Sequence, residues 1–172
     1  FRIEFGARAL DDLRRRIEAY RWPDIGLDRG WTTGTNDAVL RDLVATWLRA
    51  FDWRAVERAL NAHAHVRVPI EGEAMHAMLA AGPARERRLP LLLLHGWPYD
   101  IHAFVEVVPI LVGKGYRVIV PHLRGYGATR FVSDDTPRNG QQVALAVDMI
   151  ELMDALKIER AVIGGFDCGA RT

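Results

Sequence analysis

The chain has 172 residues, 49% of them hydrophobic and 26% charged, ordinary globular material with enough apolar content for one core and no sign of disorder. Lys plus Arg number 23 against 22 Asp plus Glu, a formal charge of +1, so no field steers nucleic acid or an anionic membrane toward it and neither is expected as a partner. The single cysteine makes no internal disulfide, no CxxC or clustered His/Cys spacing suggests a metal site, and no cofactor motif stands out.

No stretch approaches the roughly 18 consecutive apolar residues of a membrane span, and no signal peptide is visible. A soluble protein of a reducing, cytoplasmic compartment is expected. Because residue 1 is Phe rather than Met, a leader or anchor ahead of Phe1 stays open.

The period predicts an amphipathic helix over 9–20, where Leu10, Leu13, Ile17 and Tyr20 recur at helical spacing among arginines and aspartates. Trp22-Pro23 ends it, since proline disfavours helical backbone in the residue before it. Gly26, Gly30 and Gly34 then mark an extended arm on which Trp22 and Trp31 are expected to anchor packing. A second helix is predicted over 36–50, with Val39, Leu40, Leu43, Trp47 and Leu48 as its buried stripe. A third is predicted over 52–62, with Trp53, Val56 and Leu60 inward. Asn36 and Asp52 suit their N-caps.

From His65 the period becomes alternating. HVRVPI and EAMHAMLA predict two strands joined at Glu71-Gly72, an edge hairpin in which Pro69 is tolerable. A charged loop over 84–88 leads to LPLLLLHGWP, whose leucine run suits a strand buried on both faces. It ends in His95-Gly96-Trp97-Pro98, which taken alone is a tight turn closing a core strand. Residues 101–112 carry a helical pattern closed by Gly113 and Gly115, with Pro109 awkward inside it. YRVIV over 116–120 is the next buried strand, followed by PHLRGYGATRF. A long helix opens at Asn139 or Gln141 and runs to Leu156, with Val143, Ala146, Val147, Ile150, Met153 and Leu156 on one face. A strand over 160–163 follows.

That strand delivers the most informative stretch, AVIGGFDCGART. In the frame Gly165-Phe166-Asp167-Cys168-Gly169, small residues sit two before and two after an aspartate, as a strained strand-to-helix turn exposing a nucleophile requires. An aspartate there implies carboxylate attack and an ester that water must hydrolyse. The competing reading is a buried strand ending at an acidic residue near a helix N-terminus, where the helix dipole favours negative charge. Strands alternating with helices imply a largely parallel sheet, and such sheets bind ligands at the carboxyl ends of their strands. Both HGWP and Asp167 lie at such ends, so they are expected to share one site.

HGWP followed by GFDCG resembles the α/β-hydrolase superfamily, and within it the epoxide hydrolases. The stretch after the 116–120 strand is similar to the RGYG turn of that superfamily, with His122 where an acidic residue is frequent and Thr129 where serine is common. The opening third, to His63, resembles the N-terminal extension of microsomal-type epoxide hydrolases, which clasps the core and its lid. The resemblance implies an α/β-hydrolase fold: a helical extension over 1–63 and the first half of a mostly parallel core sheet over 64–172. It implies Asp167 as nucleophile, the backbone amides of Trp97 and Cys168 as oxyanion hole, and His95, Gly96, Pro98, Gly165 and Gly169 as supports of turn and elbow. A small apolar epoxide, opened to a diol through an aspartyl ester, is the implied substrate.

The α/β-hydrolase order puts the base histidine after the nucleophile, so none of His63, His65, His76, His95, His102 and His122 is offered as that base. By resemblance the base, its acidic partner and the lid tyrosines lie beyond Thr172, in a remaining half on the same chain or a separate polypeptide. Residues 1–172 alone are expected to be inactive, with homo-oligomerisation left open. Two alternatives stand beside this reading. A haloalkane or haloacid dehalogenase uses the same aspartate ester but commonly has Trp or Arg directly after the nucleophile, where this chain has Cys168. A non-catalytic hydrolase-fold binding module would not need the intact turn and elbow.

Overall fold

The computed structural model describes residues 1–23, 30–32, 34–81 and 88–172. Gly26 of the expected arm and residues 84–87 of the expected charged loop lie outside the described residues. The chain forms two compact units, one of Ile3–Leu60 and one of Asn61–Thr172 with Phe1–Arg2.

The first unit carries helices α1 (Ala7–Glu18), α2 (Asp37–Ala50) and α3 (Trp53–Leu60). The starts of α2 and α3 follow from side-chain caps: Asn36 Oδ1 accepts from the Val39 amide at 3.0 Å and Asp52 Oδ1 from the Ala55 amide at 3.1 Å. Glu57 is the buried residue of α3. Its carboxylate accepts from the Phe5 amide at 2.8 Å and the Trp53 indole at 3.0 Å and pairs with Arg54 at 2.6 Å, which satisfies it.

The expected stripe of α2 is not buried. Val39, Leu40, Leu43 and Trp47 are exposed and Leu48 is half-buried. Trp31 is exposed too, whereas Trp22 packs, with Tyr20 edge-on and Arg41 stacked over its ring.

The second unit is built on six strands: β1 (Ala64–Ile70), β2 (Glu73–Ala81), β3 (Leu91–Leu94), β4 (Arg117–Pro121), β5 (Arg130–Phe131) and β6 (Val162–Gly165). Their order is β1-β2-β4-β3-β6, with β5 on β2. The hairpin β1–β2 turns at Glu71-Gly72, where Gly72 has φ 75°, a left-handed conformation that favours glycine. Pro69 lies on β1 at the sheet edge, where its missing N–H costs no ladder bond. Strands β4, β3 and β6 run parallel, while β2 pairs antiparallel with β1, β4 and β5.

Between the strands lie a short 3-10 turn (Ile101–Phe104) and helices α4 (Val107–Gly113) and α5 (Gln142–Ala155), and α6 (Cys168–Arg171) follows β6. The single helix expected over 101–112 is thus two pieces. Pro109 falls in the first turn of α4, where no intrahelical N–H is needed, and the preceding residues tighten into 3-10 geometry. The apolar face read on α5 is buried only in part, at Met153 and Leu156, which pack against the core. Leu145, Asp148, Met149 and Leu152 point into the core, while Val143, Val147 and Ile150 are exposed. The helix is apolar on both sides, so its period cannot choose between them.

The core joins Met75, Ala77, Leu92, Leu94, Ile119, Leu123, Leu145, Met149 and Leu152, the continuous apolar face that a strand buried on both sides and its covering helix supply. Among the described residues no helix is long and apolar enough to cross a membrane. What positions the site is register: Leu94, the last residue of β3, lies opposite Gly165, the last of β6. The segments His95-Gly96-Trp97 and Phe166-Asp167 therefore leave the sheet side by side.

Candidate active site

Asp167 occupies a backbone conformation of φ 52° and ψ −120°, which a residue with a Cβ adopts only under strain, at a cost of about 1–3 kcal/mol. The surroundings of the turn are tight. A Cβ on Gly165 would stand 2.5 Å from the Gly169 carbonyl oxygen, one on Gly169 would collide with the Leu94 carbonyl, and one on Gly96 would stand 2.6 Å from the Asp167 Cβ. Three glycines thus let the β3 turn and the elbow approach to the distance at which their backbones touch.

That approach brings the expected groups together. The Trp97 amide donates to Asp167 Oδ1 at 3.0 Å, across the 96–98 turn whose Trp97-Pro98 peptide is cis. The Trp97 amide first, then the Cys168 amide and thiol, hold the Asp167 carboxyl below the usual carboxylate range, since each donates to the charged form. The Cys168 thiol moves the other way, pushed up first by its hydrogen bond to Asp167. A protonated thiol is a poor nucleophile, so the arrangement favours the aspartate as the attacking group.

Aromatic rings flank the elbow. Phe166 meets Tyr99 edge-on with ring centres 5.4 Å apart and Phe104 at 5.8 Å, while the Trp97 indole is 69% exposed. An ionised carboxylate, two backbone donors converging on it and an apolar rim can deliver an oxygen nucleophile to an uncharged carbon electrophile.

Residues 1–104 match the family model described as epoxide hydrolase N terminus, and residues 90–172 match that described as alpha/beta hydrolase fold. The chain belongs to the epoxide hydrolase family. The chain is 35% identical over 179 residues, 99% of its own length and 40% of the other's, to a Stigmatella aurantiaca protein named "Putative epoxide hydrolase". The crystal structure of juvenile hormone epoxide hydrolase from the silkworm Bombyx mori superposes with a TM-score of 0.86 at 28% identity, covering 99% of this chain and 42% of that one. A fluoroacetate dehalogenase of Burkholderia sp is 40% identical over 93 residues, 54% of this chain and 28% of that protein. The chain thus spans about 40% of the length of the first of these relatives.

The residues expected as supports lie around the turn and the elbow. Gly96, Gly165 and Gly169 are the close-approach glycines, and Pro98 follows the donating amide. His95 is fully buried. Its Nε2 accepts from the Leu123 amide at 3.1 Å and its Nδ1–H donates to the Gly96 carbonyl at 3.0 Å; the tautomer follows because an amide can only donate. Burial holds this ring below the usual histidine range.

Sequence reasoning missed two residues beside it. Leu123 supplies the amide just described, and Tyr126 packs edge-on to the His95 ring at 4.7 Å. Both belong to the stretch around RGYG, whose turn was legible while its partner was not. The remaining buried histidines form a row. His65 Nδ1 and His76 Nε2 are 2.9 Å apart, and His76 stacks on His122 at 4.8 Å. Burial pushes His76 down to about 3 and His122 to about 4. Among the described residues no three His, Cys, Asp or Glu side chains are grouped to hold a metal.

Proposed function

We propose that residues 64–172 are the nucleophile-bearing first half of an epoxide hydrolase core, that residues 1–63 are its helical extension, and that a small apolar epoxide is the substrate. The single observation that carries this reading is the Trp97 amide donating to the carboxylate of Asp167 at 3.0 Å, on an elbow held at positive φ.

Asp167 attacks a ring carbon through one carboxylate oxygen. A carbon–oxygen ester bond forms, the ring carbon–oxygen bond breaks, and the departing alkoxide takes a proton from an acid supplied by the remainder of the hydrolase. Water, losing its proton to a base histidine of that remainder, then adds to the acyl carbon of the ester. The negative charge develops on the second Asp167 oxygen, where the Trp97 and Cys168 amides already point and need no reorganisation. Collapse of this intermediate releases the diol and returns Asp167 as carboxylate, one of its oxygens now drawn from water. The same geometry suits a dehalogenase, and the likeness to the fluoroacetate enzyme favours that as the second reading.

The test is turnover by the complete hydrolase that contains these residues, with an aryl epoxide and a haloalkane offered in parallel. Diol formation abolished by Asp167→Ala, with no halide release from the parent, is expected. Halide release without diol would replace the first reading by the second.

A further inference from the structure

Two sets of polar contacts meet at adjacent residues, one running from α5 to Arg124 and the other from Leu123 to the Trp97 peptide. Asp148, buried on that helix, grips the Arg124 guanidinium twice, accepting from Nε at 2.8 Å and from Nη2 at 2.6 Å. Arg124 Nη1 donates to Asn139 at 3.0 Å, and the guanidinium also lies 3.1 Å from the buried Glu73 carboxylate of β2. One residue along, the Leu123 amide donates to His95 Nε2, and His95 Nδ1–H donates to the Gly96 carbonyl.

That carbonyl and the Trp97 N–H belong to one peptide unit. A peptide is planar, so holding its carbonyl fixes the direction of its N–H, and a hydrogen bond accepted on one side polarises the donor on the other. His95 therefore controls both the aim and the strength of the donor facing Asp167. The neutral tautomer is essential to this, because an imidazolium would set a donor against the Leu123 amide.

We propose that His95 is a positioning residue for the oxyanion peptide, and that the buried Arg124–Asp148 pair is its anchor, coupling helix α5 to hydrolysis of the Asp167 ester. The proposal rests on the reading of Asp167 as nucleophile. It goes further in assigning one chemical step to side chains that do not touch substrate. The hole matters most when charge develops on the Asp167 oxygen, so loss of aim slows breakdown of the ester more than its formation.

The experiment uses the complete hydrolase with an aryl epoxide, following the Asp167 ester by quench and mass spectrometry. His95→Phe keeps a ring and removes both polar contacts. It is expected to slow ester breakdown by about tenfold or more, the order that a displaced catalytic group costs, to leave substrate binding nearly unchanged, and to let the ester accumulate. His95→Gln, whose amide oxygen can accept from Leu123, should recover part of the rate. Asp148→Asn should slow the same step, and adding it to His95→Phe should cost nothing further, since the link to the Trp97 peptide is already cut.

Ester that forms and decays in His95→Phe as in the parent would overturn the positioning role alone. So would losses that multiply in the double variant. No Asp167 ester in the parent would overturn the nucleophile reading and this proposal together. Nitrogen-15 NMR of the unmodified protein is the check independent of any variant: an Nδ1-protonated neutral His95 is expected, and an Nε2-protonated ring would overturn the assignment.

Discussion

At Trp97 the backbone and the side chain have separate duties. The amide is committed to Asp167, whereas the indole is largely exposed and contributes surface beside the site. Trp97→Phe is therefore expected to keep kcat within a few-fold of the parent and to change mainly KM. Gly96→Ala forces a Cβ into Asp167 and should lower kcat by about 10²–10³, the magnitude of a lost oxyanion donor. Steady-state kinetics on both variants, with melting curves to exclude unfolding, checks this; equal kcat losses would contradict it. The sharp turn at Asp167 was legible because such a strand-to-helix turn demands small residues on both sides, directly after an apolar run, and the chain supplies both. The role of Leu123 was not legible, because a backbone amide serves from any residue type and leaves no mark in the sequence.

Elements meet through a buried charge cluster that makes stability depend on pH. Glu73 is pushed up to about 7, by burial first and by the charge of Asp148 second. Its folded value thus lies above its ordinary 4.5, so its contribution is complete below that value and is lost as pH rises through 7. His76 and His122 run in the opposite sense. Their folded values of about 3 and about 4 lie below 6.5, so the stability they contribute is present above 6.5 and lost as pH falls toward those values. Glu73→Gln should therefore raise the melting temperature relative to the parent at about pH 8, change it little at about pH 5, and leave the acid side intact. An equal shift at both pH values in differential scanning calorimetry would contradict the assignment. Helix α5, which presents Asp148 to this cluster, also shows where sequence period runs out. Its two apolar faces are equivalent by spacing, and only the packing of Leu145, Met149 and Leu152 on the sheet distinguishes them. Pro109 was readable as a break but not as the first turn of a separate helix, because the 3-10 turn before it depends on how the chain leaves the site.

On the scale of the whole molecule, β6 is the telling element. Among the described residues it pairs with β3 on one side, and Val162 and Ile163 remain 50% and 55% exposed. An unpaired apolar edge invites association with other chains. Residues 1–172 purified by themselves are accordingly expected to lack diol-forming activity and to self-associate rather than melt cooperatively as a monomer; light scattering and thermal circular dichroism check this. A monomeric, cooperatively melting, active preparation would contradict it. The parallel order of β4, β3 and β6, which puts both halves of the site at the same end of the sheet, followed from the alternation of strands and helices. The short β5 did not, since two residues against β2 carry no period of their own.

Everything proposed for this site depends on Asp167 becoming covalently esterified and on water then attacking its acyl carbon. The most direct test is a single turnover of the complete hydrolase in heavy-oxygen water, followed by mass spectrometry of the peptide that contains Asp167. One heavy oxygen in the Asp167 carboxylate, and none in the diol released in that turnover, is the predicted result. Diol carrying the heavy oxygen beside an unlabelled Asp167 would mean that water attacks the epoxide directly, and would contradict the account.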